Sequence, residues 1–279
     1  MSPKNRGSKY ARAARRRNAR TGGGANTTWW IVVAVIVAVG VALVIANTGG
    51  KDSSSTAKTA IKGRKPAPDS LVKKVTSVPS SKTDGVGLGT GKMPTVLEGA
   101  PQSAKPDVYF IGAEYCPFCA AERWSIVNAL SRFGTFSDLK ITSSSPTDVH
   151  PDTATFSFYQ SKYTSPYLKF AMVEAEDQDQ KQLETPTSAQ FQVWQANGQS
   201  FPFMDFSGKY KLQRTFDPSV LAGKTHDQVA AALNDPNSDI AKGVLGDANA
   251  ITATICKLTG NQPASACTPA IQELGKQLP

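Results

Sequence analysis

Histidine is nearly missing from this sequence of 279 residues, which has only His150 and His226. Cysteine is scarce as well, at four: Cys116, Cys119, Cys256 and Cys267. A zinc site needs four ligands of these types, and two dispersed histidines and two separated cysteine pairs make a poor set. No histidine follows Cys119, where Ala120 stands, and that excludes covalent haem attachment. The glycine-rich run Gly85–Gly91 lacks the Lys-Ser/Thr pair and the helix of a phosphate loop, so it reads as flexible linker. The acidic run Glu174, Glu176, Asp177 and Asp179 lacks the glycine and distal glutamate of a calcium loop and reads as a solvated turn. No repeat of 20–50 residues is visible, which sets solenoids aside. Neither a cofactor nor a metal ion is therefore expected.

Acidic residues are absent from positions 1–28, where eight of the 31 Lys/Arg lie. The rest of the chain carries 23 basic against 22 acidic residues, so the net charge of +9 is a property of the N-terminus alone. Charge of either sign is absent from Trp29–Ala46, eighteen residues that are long enough to span a bilayer. A basic run beside such a segment points to a membrane and not to nucleic acid. By the positive-inside rule residues 1–28 form a cytoplasmic tail, and the C-terminal part lies outside the cell membrane. Trp29 and Trp30 sit where interfacial anchors belong. A cleaved signal peptide ending near Val44-Ile45-Ala46 is the alternative, but its apolar core is ordinarily shorter. The expectation is a retained single-pass helix over 29–46.

Residues 47–95 are rich in Gly, Ser, Thr, Lys and Pro, without sustained apolar periodicity, and read as a flexible stalk. Leu71–Val75 suggests a short strand or helix within it. The folded domain is expected over 96–279, opening on Val108–Ile111, a buried strand bounded by Gly112. Cys116-Pro117-Phe118-Cys119 follows, and then a helix whose Ala120, Trp124, Ile126, Val127, Leu130 and Phe133 form a broad apolar stripe. Pro117 suits the first helical turn. Cys116 is thereby placed at the N-cap, where free N–H groups and the helix dipole favour a thiolate.

Further on, Leu139–Ser144 reads as a second strand, parallel to the first in a β-α-β unit. Thr155–Tyr159 alternates like a half-buried strand, and Tyr167–Val173 is another. Thr187–Ala196 is helical. Pro202 leads a strand over Phe203–Phe206, and Ser207-Gly208 turns into a second strand around Tyr210–Leu212. Thr225–Gln228 has capping-box spacing, and a last helix is expected over Asp247–Leu258. Trp124 and Trp194 read as core. Tyr159, Tyr163 and Tyr167 read as a sheet face or a peptide-binding surface, His150 as exposed and idle, and Glu114 as a surface carboxylate.

The order strand, CPFC, helix, strand, proline-led hairpin and closing helix resembles the thioredoxin fold. The proline-first dipeptide is similar to that of glutaredoxins and disulfide isomerases. With its anchor and stalk, the chain resembles a group of membrane-anchored bacterial and archaeal thioredoxin-like proteins. The resemblance covers roughly residues 100–215 and implies an α/β domain with a central mixed sheet flanked by helices. It also implies an insertion within 145–197 and a C-terminal helical extension.

It further implies that Pro202 is the cis-proline facing the dithiol, and that Cys116 attacks while Cys119 resolves. Partners would be the thiols and disulfides of exported proteins and a membrane redox protein that recycles the pair. Proximity pairs Cys116 with Cys119 and leaves Cys256 to bridge Cys267 as a structural disulfide. The competing reading is a non-catalytic binding or scaffold domain whose disulfides are all structural.

Overall fold

Val108 and Phe110 point to one side of their strand and Tyr109 and Ile111 to the other, and Val108, Phe110 and Ile111 are fully buried. A strand apolar on both faces belongs inside a sheet, between two neighbours and covered on both sides. That is its position in the computed structural model, which describes residues 61–98, 100, 106–213 and 216–279. The tail 1–28, the expected membrane helix 29–46 and the first part of the stalk, 47–60, lie outside the described residues. Among the described residues no helix is long and apolar enough to cross a membrane.

In chain order the first elements are β1 (Lys65–Pro66), α1 (Asp69–Thr76), α2 (Ser80–Val86), β2 (Thr95–Val96), β3 (Asp107–Gly112) and α3 (Pro117–Leu130). Next come β4 (Thr135–Ser137), β5 (Lys140–Ser143), β6 (Ala154–Ser157), β7 (Lys162–Thr164) and β8 (Lys169–Glu174). The chain closes with α4 (Ser188–Ala196), β9 (Phe203–Phe206), β10 (Tyr210–Leu212), α5 (His226–Ala232), α6 (Asp239–Leu258) and α7 (Pro269–Gly275).

The main sheet has the order β2-β10-β9-β3-β8. β3 runs parallel to β8, from Asp107 opposite Lys169 to Gly112 opposite Glu174, and antiparallel to β9. One face carries Val108, Phe110, Met204 and Phe206 into the principal core with α3 and α6. The other gathers Ile111, Val173 and Phe203 around Leu97 and Trp194, the latter delivered by α4. The fold is thus mixed α/β, with a mixed sheet flanked by helices.

Several expectations are corrected. The strand after α3 is not the parallel partner of β3, because β5 pairs antiparallel with β6 in a separate small sheet. The Ser144 amide donates to the Thr153 carbonyl at 2.9 Å, which folds the intervening loop back and makes β6 the partner. The parallel partner of β3 is β8, and β4–β7 lie between α3 and β8 in the chain. β6 is buried along its whole length, since it packs against α3 instead of lying half in solvent.

α3 has no solvent face. Every residue of it but Phe118 is buried, including Arg123, Ser125 and Asn128. The sheet lies on one side of it and α6 on another, so the apolar stripe marks only part of a helix enclosed all round.

Residues 61–95 are not a free stalk. Leu71 and Val75 of α1 enter the principal core. Asn128 donates from Nδ2 to the Val75 carbonyl (2.8 Å), and Asn249 donates to the carbonyls of Thr83 (2.7 Å) and Gly87 (2.8 Å). Glycine at 246 lets the Leu88 carbonyl close on the helix, since a Cβ there would stand 2.2 Å from its oxygen. Of the glycines that read as linker signals, Gly89 and Gly91 are close-packing positions, where a Cβ would stand 2.2 Å from the Lys242 oxygen and 2.6 Å from the Asp247 nitrogen.

Finally, α6 begins at Asp239, eight residues before the expected start. The Ser238 side chain accepts from the Ala241 amide and caps it, and Gly243 and Gly246, poor helix formers, are carried inside it by packing. α5 has the expected capping box of Thr225 and Gln228.

Candidate active site: a dithiol above a buried ion pair

β3 ends at Gly112, and the chain must turn before α3 can start. Cys116 takes extended dihedrals (φ −75°, ψ 120°) as the N-cap, and Pro117 occupies the first turn, where no N–H is needed. The Cys116 Sγ accepts a hydrogen bond from the Cys119 amide at 3.3 Å. The sequence thus builds a sulfur acceptor against unpaired helix N–H groups. Both sulfurs are free thiols here. Cys116 retains 7% exposure and Cys119 none, while Phe118 between them is 41% exposed.

Burial and helix position separate the two thiols. The Cys116 thiol is lowered from its ordinary value. The Cys119 side chain is the main cause, and the amides of Cys119 and Phe118 and the charge of Arg123 act in the same direction against burial. The Cys119 thiol is pushed well above its ordinary value, first by burial and then by Cys116, with Arg123 opposing. One thiol is prepared to be a thiolate and the other to stay protonated.

Pro202 is buried, and the Phe201–Pro202 peptide bond is cis. The β3–β9 register ends with Ile111 opposite Phe203, so the next residue back, Pro202, comes opposite Gly112. A Cβ on Gly112 would stand 2.3 Å from Phe110 Cζ and 3.3 Å from the Cys119 Sγ. Beside it the rings of Tyr115 and Phe201 meet edge to face at 6.4 Å. Cys116, Cys119 and Pro202 are therefore gathered at one end of the main sheet.

Beneath them lies a set of charges that sequence reasoning missed. Arg123, one turn beyond Cys119, is wholly buried and donates from Nε (2.8 Å) and Nη2 (2.6 Å) to the two oxygens of Glu174. Glu174 sits at the end of β8, is wholly buried, and also accepts from the Phe158 amide (2.9 Å). It is no part of a solvated acidic turn. Glu114 is likewise buried and not a surface carboxylate, accepting from Arg64 Nη1 (2.7 Å) and from the Ser157 hydroxyl. Burial raises its pKa although Ser157 and both arginines oppose that. The available signal was a charged pair, Glu122-Arg123, inside an otherwise apolar helix.

His150 is not idle. Its ring meets Phe118 edge to face at 5.8 Å, and its Nε2 lies 3.9 Å from Asp217 Oδ1. Tyr163 belongs to an aromatic group with Phe136 and Phe170, and its hydroxyl donates to the Leu130 carbonyl. Cys256 and Cys267 form a buried disulfide that ties the end of α6 to the loop before α7. Among the described residues no group of three or more His, Cys, Asp or Glu is placed to hold a metal ion.

No curated protein and no solved structure matches the chain. Residues 99–195 are similar to a family described as a domain of unknown function, DUF929. That stretch contains both thiols, Glu114, Arg123 and Glu174, and stops short of Pro202 and of the Cys256–Cys267 disulfide.

Proposed function

We propose that the protein is a membrane-anchored thiol–disulfide oxidoreductase of thioredoxin-like fold, whose domain outside the cytoplasm acts on exported proteins through Cys116 and Cys119. The observation that carries this reading is the asymmetry of the dithiol. Cys116 is a helix N-cap with a lowered thiol pKa, and Cys119 is enclosed and protonated. A purely structural pair has no need of that difference. The thioredoxin-like reading is supported by the order β8-β3-β9-β10, with β3 feeding the dithiol helix, β8 parallel to it and β9 antiparallel. Pro202 opposite Gly112 agrees with a proline facing the thiols.

In the forward step the Cys116 thiolate attacks one sulfur of a substrate disulfide. A mixed disulfide forms, and the other substrate sulfur leaves with the electron pair and takes a proton. Cys119 then attacks Cys116 Sγ, the internal disulfide closes, and the second substrate sulfur leaves as a thiol. The substrate is reduced by two electrons and the pair is oxidised. Run backwards, the same steps oxidise a substrate dithiol. A membrane redox partner resets the pair in either direction.

The test is thiol titration of the full-length protein in defined redox buffers. The expected result is a labile 116–119 pair with a potential above about −250 mV and a resistant 256–267 disulfide. A 116–119 bridge as resistant as 256–267 would favour the other reading, a non-catalytic binding domain. Cys119→Ser should accumulate mixed disulfides in cells, and a clean Cys119→Ser protein counts against an enzyme.

A further inference from the structure

Arg123 follows Cys119 by four residues on α3, and such residues are neighbours on a helix surface. Phe110 links them from the strand side. Its ring edge reaches the point beside Gly112 that also lies 3.3 Å from the Cys119 Sγ, and the Arg123 guanidinium carbon stands 5.7 Å from the centre of the same ring. Glu174 occupies Nε and Nη2. Nη1 is buried too, yet has no hydrogen-bond partner. Buried donors are nearly always satisfied, and one left open on a cation is costly. A two-point ion pair serving stability alone gives no reason to keep such a donor on the residue one turn beyond Cys119.

We propose that Arg123 is a positioning residue for the resolving step, its guanidinium fixed by Glu174 so that its charge stabilises the Cys119 thiolate as it forms. This rests on the redox reading of the dithiol. The titratable or charged groups around Cys119 are Cys116 at the N-cap, Glu122 and Arg123 on α3, Glu114 and Tyr115 from the turn after β3, and Glu174 from β8. Arg123 alone among them is a cation, and Arg64 is engaged on Glu114. Arg123 also opposes the burial that pushes the Cys119 thiol up. In the step itself the Cys119 S–H loses its proton and the sulfur pair forms a bond to Cys116 Sγ. The Cys116–substrate S–S bond breaks, and the substrate sulfur leaves with that pair and takes up a proton.

The experiment uses the reduced full-length protein and an aromatic disulfide, 5,5′-dithiobis(2-nitrobenzoate), whose thiolate is followed by absorbance. Cys116 releases the first equivalent and the resolving attack of Cys119 the second. Cys119→Ser should give only the first. In Arg123→Met/Glu174→Gln, which removes the cation and keeps an acceptor for the Phe158 amide, the second phase should slow at least about tenfold at pH 7. Its pH profile should move up by about one unit. Glu174→Gln alone keeps the cation but loosens its hold, so its second phase should stay faster than that of the double variant. Arg123→Lys, a conservative fallback should the double variant not fold, should fall between the wild type and the double variant.

An unchanged second-phase profile in the double variant, or in Arg123→Lys an unchanged rate, overturns the role of Arg123 and leaves the redox reading standing. A wild-type protein that gives no second phase overturns both.

Discussion

Arg123 and Glu174 meet at two points, 2.8 and 2.6 Å apart, with neither side chain reaching solvent. Burial opposes the charge on Arg123, and the field of Glu174 more than restores it, raising its pKa overall. Two such charges lose several kcal/mol of hydration each, and their attraction roughly offsets that loss only while both are present. Removing one partner should therefore be far worse than removing both. Glu174→Ala strands the guanidinium and the Phe158 amide and should lower stability by about 3–5 kcal/mol. Arg123→Met/Glu174→Leu should come within roughly 2 kcal/mol of the wild type. Urea unfolding of the two variants decides, and equal losses in both would show that the pair is not acting as a unit.

A second prediction tests whether residues 61–95 belong to the folded body. Gly246 lies within α6, where alanine is ordinarily better than glycine by about 1 kcal/mol. A Cβ there would meet the Leu88 oxygen at 2.2 Å and the Leu88 carbonyl carbon at 2.8 Å, and backbone cannot swing aside as a side chain end can. Overpacking of this kind costs about 1–3 kcal/mol. Gly246→Ala should therefore destabilise the protein and open the segment around Gly85–Gly91 to proteolysis. Were that segment a loose tether, the same substitution would stabilise the helix and leave the cleavage pattern unchanged.

What could be read from the sequence was local. The order of β3, the cysteines and α3 followed from a four-residue apolar run, a proline at a first helical turn and an apolar stripe. The Pro202 hairpin and the cap at Thr225 followed from turn and cap chemistry of equally short range, whereas the capping box at Thr187 was not read. What could not be read was what each segment packs against. The parallel partner of β3 is Lys169–Glu174, more than fifty residues on, because a loop closed by Ser144 and Thr153 diverts the nearer strand. Gly89 and Gly91 carry the composition of a linker, and only the approach of α6 turns them into packing positions. For the site, the two thiols were evident, but Glu114 and Glu174 look like any surface carboxylates until Arg64 and Arg123 are brought to them. A buried charge pair is a property of two distant positions, and neither alone announces it.

The third prediction concerns Asp205, on the sheet away from the thiols. It is 3% exposed, and burial pushes its pKa up to about 6 although the Gly208 amide (2.6 Å) and the Tyr109 hydroxyl favour the charged form. In the unfolded chain it titrates near the ordinary 3.8. Between about pH 4 and pH 6 the folded state therefore binds more protons than the unfolded one, so stability falls as pH rises through that window. Above it the folded protein carries a penalty of up to about 3 kcal/mol from this one carboxylate. Asparagine keeps an oxygen for the Gly208 amide and drops the charge. Asp205→Asn should thus be more stable than the wild type by roughly 1–3 kcal/mol at pH 7.5, with the gain vanishing near pH 4. Glu114 and Glu184 are raised by burial as well, but they titrate in both proteins and cancel in the difference. Urea unfolding at pH 4, 5.5 and 7.5 gives the answer. A gain of the same size at all three values would mean that the substitution acts through packing, and that the charge of Asp205 does not burden the fold.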